Sequence, residues 1–232
     1  MTLIAQISDL HVQAPGQLAY GVVDTNPLVV AAIAHLNQLS VLPDVIVASG
    51  DLVHRGTPAE YDQLKTILAP LQIPLYLMPG NHDQRDALRQ AFPDHTYLSQ
   101  DQQHLSYTIE NYSVRLIMLD TIIPGKGSGS VDAERLSWLA HQLAAAPDTA
   151  TIIFMHHPSF PTGMPWMDRR PVQGQAALAA LIQQHPQIER ISCGHLHRTI
   201  RRAWCWCGKA RSDGRNVHAS RLAAAAAGQM CV

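Results

Sequence analysis

Five short segments carry the side chains that could do chemistry in this chain: Asp9-Leu10-His11, Gly50-Asp51, Gly80-Asn81-His82-Asp83, His156-His157-Pro158 and Gly194-His195-Leu196-His197. Carboxylate oxygens, an amide oxygen and imidazoles suit divalent first-row metals. Asp51 has two oxygens and can bridge two ions. A pair of ions about 3.5–4 Å apart is a recurring device for attacking phosphate esters, because it stabilises both the entering and the leaving oxygen. Asp9 and His11 stand two apart after an apolar run, and so do His195 and His197 after Gly194. In an extended chain such residues point the same way, so each pair can reach one ion. Neighbours His156 and His157 should face opposite sides, so only one of them is expected to be a ligand. Asn81 offers a neutral oxygen, His82 is placed to face a substrate, and Asp83 to orient His82. Each segment also has a plainer reading: Asp9 as a helix cap, Asp51 in a polar turn, Pro79-Gly80-Asn81 as turn chemistry. The coincidence of all five points to a binuclear metal centre.

The elements that must position these segments follow from apolar patterning. Short strands are expected over Leu3–Ile7, Asp44–Ala48, Ile73–Met78, Thr151–Met155 and Ile188–Cys193, and a cluster follows the carboxyl end of each. That end is where open α/β sheets gather their ligands. Helices are expected after Thr25-Asn26-Pro27, from the capping box Thr57-Pro58-Ala59-Glu60, over Asp86–Ala91, over about Asp132 to Ala145 and over Gly174–Gln184. Ser106–Glu110 and Val114–Leu119 read as an antiparallel pair. Alternation of strands and helices argues for a layered α/β domain.

Composition narrows the class. A chain of 232 residues is most simply one α/β domain. With 47% apolar and 15% charged residues it reads as globular and soluble. A net charge of -1 supplies no basic field, which argues against a nucleic-acid partner. The start lacks a signal-peptide pattern, and no apolar window reaches ~18 residues, so a cytoplasmic location without a membrane partner is expected. Cys193, Cys205, Cys207 and Cys231 are expected as reduced thiols. His35, His95, His104, His141, His185 and His218 read as surface or loop residues. His54 and Asp120 are candidates to line or support the cleft, and Met164, Trp166 and Met167 to touch a substrate's organic part.

The motif series D-x-H, GD, GNH, H and GHxH stands here as Asp9/His11, Gly50-Asp51, Gly80-Asn81-His82, His156 and Gly194-His195-Leu196-His197. It resembles that of the calcineurin-like metallophosphoesterase superfamily, over about residues 3–202. Motif spacing, Gly56-Thr57-Pro58 and His156-His157-Pro158 are similar to the branch of class III cyclic-nucleotide phosphodiesterases and glycerophosphodiesterases. The resemblance implies an α/β fold, a layered β-sandwich flanked by helices. It implies Asp9, His11, Asp51 and His197 around one ion, and Asp51, Asn81, His156 and His195 around the other. The cofactors implied are two divalent or mixed-valence ions of Mn, Fe or Zn. A metal-held hydroxide would be the nucleophile. His82 would bind a phosphoryl oxygen or protonate the leaving group, with Asp83 beside it. The expected partner is a small-molecule phosphodiester, with 3′,5′-cyclic nucleotides such as cyclic AMP favoured. Glycerophosphodiesters, phosphomonoesters or a non-catalytic scaffold are the alternatives. A homo-oligomer is compatible with this reading.

The resemblance implies a phosphoesterase domain over residues 1–203 and an atypical tail over 204–232. The tail shows no strand pattern. Its Cys-Trp-Cys, scattered Arg and alanine run read as an altered end or an alternative frame, with at most a short helix over Leu222–Ala227 that buries little.

Overall fold

In a computed structural model of the chain, residues 1–99, 101, 103–202 and the backbone of 217–219 are described. Three parallel strands, β1 (Ile4–Ile7), β2 (Val45–Ser49) and β3 (Leu75–Met78), form one sheet in that order. They are joined by helices α1 (Asn26–Asn37) and α2 (Pro58–Leu68). The chain then passes through α3 (Arg85–Ala91) and a 3₁₀ turn (Thr96–Ser99) into a second sheet. That sheet starts with the antiparallel pair β4 (Tyr107–Ile109) and β5 (Arg115–Leu119). It continues with α4 (Ala133–Ala145), β6 (Thr151–Met155), α5 (Pro165–Asp168), α6 (Gln175–Gln183), β7 (Ile188–Cys193), β8 (Ile200–Arg202) and β9 (Val217–Ala219). The strand order is β4-β5-β6-β7-β9-β8.

The layering follows from which residues are apolar on both faces. All five residues of β2 are buried, as its unbroken Val-Ile-Val-Ala-Ser run requires of a central parallel strand. In β5, Leu116 and Met118 join the core between the sheets, while Ile117 and Leu119 join the core under α4 and α6. In β6, Phe154 takes the first side and Ile153 and Met155 the second. The same first core holds Val29, Ile33 and Leu36 of α1 and Leu64 of α2. The result is an α/β sandwich of two sheets with helices on the outer faces, as expected.

Helix starts are set by local chemistry. The Glu60 carboxylate accepts from Thr57 N and Arg55 N, both at 3.0 Å, closing the capping box. Asp132 accepts from Arg135 N at 3.1 Å and starts α4. Asp120 is engaged in holding loops together: Arg85 Nε donates to it at 2.6 Å and Leu105 N at 2.9 Å.

Two short strands depart from the sequence reading. β8 was not expected, and β9 lies within the segment read as patternless. β9 pairs parallel with β7 and antiparallel with β8. Three residues are too few to display a period-two pattern, and backbone groups alone supply their ladder bonds. The α5 turn was also unforeseen, for the same reason of length. The Leu222–Ala227 helix and the packing of the tail lie outside the described residues.

Candidate metal centre

The loops after β1 and β2 continue to hydrogen-bond to one another beyond the strands. Asp9 N donates to Gly50 O at 2.9 Å, His11 N to Asp51 O at 2.9 Å and Val12 N to Leu52 O at 3.1 Å. Within this ladder Asp9, His11 and Asp51 take positive φ, at 59°, 45° and 51°. His195 and His197 do the same, at 72° and 49°. Such conformations cost on the order of 1–3 kcal/mol each and persist only where the surroundings over-determine them. The expected pairings therefore arise by a different route. Asp9 with His11, and His195 with His197, are brought to one place by left-handed turns, not by the alternation of an extended strand.

Glycines let the three loop systems touch. A Cβ on Gly80 would collide with the backbone N and carboxylate of Asp51. One on Gly194 would collide with Ser8 Oγ and stand 2.9 Å from Ser49 O. The two sheets are also pinned together here, since Gln6 Nε2 donates to Ser49 Oγ at 2.6 Å and to Cys193 O at 3.2 Å.

The side chains converge in two sets that share one carboxylate. Asp9, His11, Asp51 and His197 bring ligand atoms within 4.8 Å of one another, and so do Asp51, His156 and His195. Asp51 Oδ2 lies 3.6 Å from His11 Nε2 and 3.3 Å from His156 Nε2. His11 Nε2 and His197 Nε2 are 3.1 Å apart, and His197 Nε2 lies 3.5 Å from Asp9 Oδ1. A third set of His11, His54 and His82 lies within the same reach but contains no carboxylate.

Protonation and burial suit these groups to a cation. His156 Nδ1 donates to Ser49 O at 2.9 Å, so the ring is fixed and Nε2 is the nitrogen turned to Asp51. Both His156 Nε2 and Asn81 Oδ1 are buried without a hydrogen-bond partner. Two such unpartnered atoms beside buried carboxylates fit a cation site, and a mixed carboxylate, amide and imidazole set suits a divalent first-row ion. Burial holds His11 and His195 down to about 3, so both present neutral nitrogens. Burial pushes Asp9 up to about 7, against the pull of His156. Burial acts the same way on Asp51, but His156 and His11 outweigh it and hold that carboxylate well below its usual range. Burial would lower His156, yet Asp51 raises it to about 9.

The neighbouring residues divide into those near the cluster and those that support it. His82 N donates to Asp51 Oδ1 at 2.8 Å, and its Nδ1 donates to His54 O at 2.6 Å. His54 stacks on the His82 ring at 5.0 Å and so supports that ring, but it is not among the residues that line the cleft. Asp83 does not touch that ring, which corrects the expectation that it orients His82. It is buried, and its carboxylate accepts from Gly80 N at 2.8 Å, Leu52 N at 3.0 Å, Val53 N at 3.3 Å and Tyr61 Oη at 3.0 Å. Burial, with the charge of Asp51, pushes it up to about 7. No residue pattern signals this, since side-chain direction after a Pro-Gly-Asn turn has no simple period. His157 packs against His195 and hydrogen-bonds Thr121 Oγ1 through Nδ1 at 2.8 Å, outside both sets.

A cleft of about 790 Å³ opens over the cluster, lined by Asp51, Asn81, His82, His195 and His197. Tyr20, Gly127, Trp166, Met167, Arg169, Arg170 and Arg198 line it too. Of the three residues expected to meet a substrate, Met164 instead joins the second core. Tyr20 and the arginines were not foreseen. Tyr20 has a positive φ of 53° and edge contacts with His54 at 4.6 Å and His11 at 5.9 Å, none of which the sequence displays.

The pattern of the calcineurin-like phosphoesterases matches residues 2–199. The chain belongs to that family. This phosphoesterase is 36% identical over 203 residues to a probable glycerophosphodiester phosphodiesterase of Arcobacter nitrofigilis, covering 87% of this chain and 74% of that one. It is 31% identical over 199 residues to a 3′,5′-cyclic-nucleotide phosphodiesterase of Nostoc, covering 86% and 73%. These relatives place it in the branch that holds both kinds of enzyme. Among solved structures, a dimetal phosphatase from Danio rerio superposes with a TM-score of 0.73 over 95% of this chain and 88% of its own, at 14% identity. That likeness concerns the fold. No helix among the described residues is long and apolar enough to cross a membrane.

Proposed function

We propose that this phosphoesterase hydrolyses phosphodiesters at a two-ion centre. Asp9, His11, Asp51 and His197 would hold one ion, and Asp51, Asn81, His156 and His195 the other. The observation that carries the reading is the pair of ligand sets sharing Asp51. Mn, Fe or Zn fits the mixed donors. Bound there, two such ions supply a nucleophile from water near neutral pH and neutralise charge on both oxygens of the displacement. The three-imidazole set lacks an anionic ligand and shares His11, so His82 is left for the substrate.

His82 has its Nδ1 proton fixed on the His54 carbonyl, which leaves Nε2 as the nitrogen for work in the cleft. Protonated, Nε2 gives its proton to the leaving oxygen, and the His54 contact keeps the ring in place as it does so. Asp83 ties Gly80, Leu52 and Val53 into one frame, so it acts on the geometry of Asp51 and Asn81 through the backbone. Residues 1–203 would form the catalytic domain.

Cyclic 3′,5′-nucleotides are one substrate class for this centre, supported by the relatives so named. Glycerophosphodiesters are the second, supported by higher identity, 36% against 31%. The test is turnover of cyclic AMP, a glycerophosphodiester, bis-p-nitrophenyl phosphate and p-nitrophenyl phosphate by metal-loaded protein. Hydrolysis of diesters well above the monoester is expected. Activity on the monoester alone would overturn the reading.

A further inference from the structure

Three arginines line the cleft beside the metal cluster: Arg169, Arg170 and Arg198. All three are exposed. Among the described residues none of them has an ion-pair partner or a side-chain hydrogen bond. The nearest acid in sequence, Asp168, is spent on its own loop, accepting from Thr162 N at 2.7 Å, Thr162 Oγ1 at 2.8 Å and Gly163 N at 2.9 Å. Arg170 reaches toward Gly127 on another loop, its Nη1 standing 4.0 Å from where a Cβ on that glycine would lie. In a chain of net charge -1, this is a local concentration of positive charge. Arg198 comes from the segment before β8, far in sequence from the other two, so the fold and not a basic run assembles it.

The scissile phosphate does not account for these groups. A diester carries one negative charge there, and two ions with His82 already answer it. Guanidinium forks suit the several oxygens of a second phosphate. Trp166, 63% exposed, offers a flat apolar face on the same lining.

We propose that Arg169, Arg170 and Arg198 bind a phosphomonoester group that the substrate carries beyond its scissile phosphate, with Trp166 covering the organic part between the two. This rests on the phosphodiesterase reading and narrows it: a simple cyclic nucleotide has no such second group.

A matched pair of substrates tests it. Thymidine 5′-(p-nitrophenyl phosphate) and its 3′-phosphorylated form differ only in the distal phosphomonoester, and both release p-nitrophenolate on hydrolysis of the diester. Exposed ion pairs are individually weak, and three together support roughly a tenfold higher kcat/KM for the phosphorylated form at low salt. Added salt should shrink the preference, because exposed charges are screened. In the combined variant Arg169→Gln, Arg170→Gln, Arg198→Gln the ratio of the two kcat/KM values should fall to about one. With lysine at all three positions part of the preference should remain. The ratio is taken on one protein preparation, so a loss of folded enzyme cancels. Equal kcat/KM in the unaltered enzyme, or a preference that survives the triple glutamine change, overturns the inference and leaves the phosphodiesterase reading intact. If neither diester is hydrolysed by metal-loaded protein, both fall.

Discussion

The inner and the exposed parts of the cleft are built on different principles. Around Asp51 the groups Asp9, His11 and His156 are buried, several backbones sit in left-handed conformations, and glycines allow loops to touch where a methyl group would not fit. Around Arg170 and Trp166 the side chains are exposed and held by little besides their own loop. Rigid placement suits a centre where ligand atoms must stand within a few tenths of an ångström. Exposed, adjustable side chains suit recognition of a substrate's outer part, where a family can change preference without disturbing the chemistry.

Substitutions can break or sharpen this contrast. The largest effect is expected from Asp51→Asn. It removes the charge shared by both ligand sets, so diester turnover should fall by more than the about 10⁴-fold that marks the upper range for losing a positioned acid. Turnover near that of the unaltered enzyme would mean that the two sets work independently. His82→Ala should cost about 10²–10⁴ in kcat with bound metal, measured by elemental analysis, nearly unchanged. Loss of metal in that variant would move His82 among the ligands.

Asp83→Ala should act on stability first. It leaves three buried backbone donors and the Tyr61 hydroxyl without their acceptor, a cost on the order of 3 kcal/mol in urea unfolding. A variant as stable as the parent would show that the inner frame does not depend on this carboxylate. Trp166→Ala should change unfolding free energy by less than about 0.5 kcal/mol, as is usual for exposed positions. Its effect should be confined to KM. A stability loss as large as that of Asp83→Ala would erase the contrast between the two linings.

Much of the inner site was legible because metal chemistry restricts residue types. Asp, Asn and His are among the few residue types that can ligate such ions, and each cluster follows an apolar run that reads as a strand. Buried strands such as Val45–Ser49 announce themselves through continuous apolar sequence. What could not be read depends on direction and on long-range assembly. Asp83 looked like a partner for His82 because it is adjacent, yet its carboxylate turns to Tyr61 and the backbone. Strand alternation alone left His156 and His157 open; the family resemblance pointed to His156, and that is the ring the Ser49 carbonyl holds. The arginine group joins residues from two distant loops, and each arginine alone reads as an ordinary solvated side chain. Strands β8 and β9 are short enough that their pairing is decided by the open edge of β7 and not by their own sequence.

The central claim is that one carboxylate joins two metal sites. Titrating metal-free protein with Mn²⁺ while recording electron paramagnetic resonance tests it most directly. The account predicts two ions per chain and a spin-coupled spectrum that disappears in Asp51→Asn. Saturation at one ion, or two ions whose spectra stay independent in the unaltered protein, would contradict it.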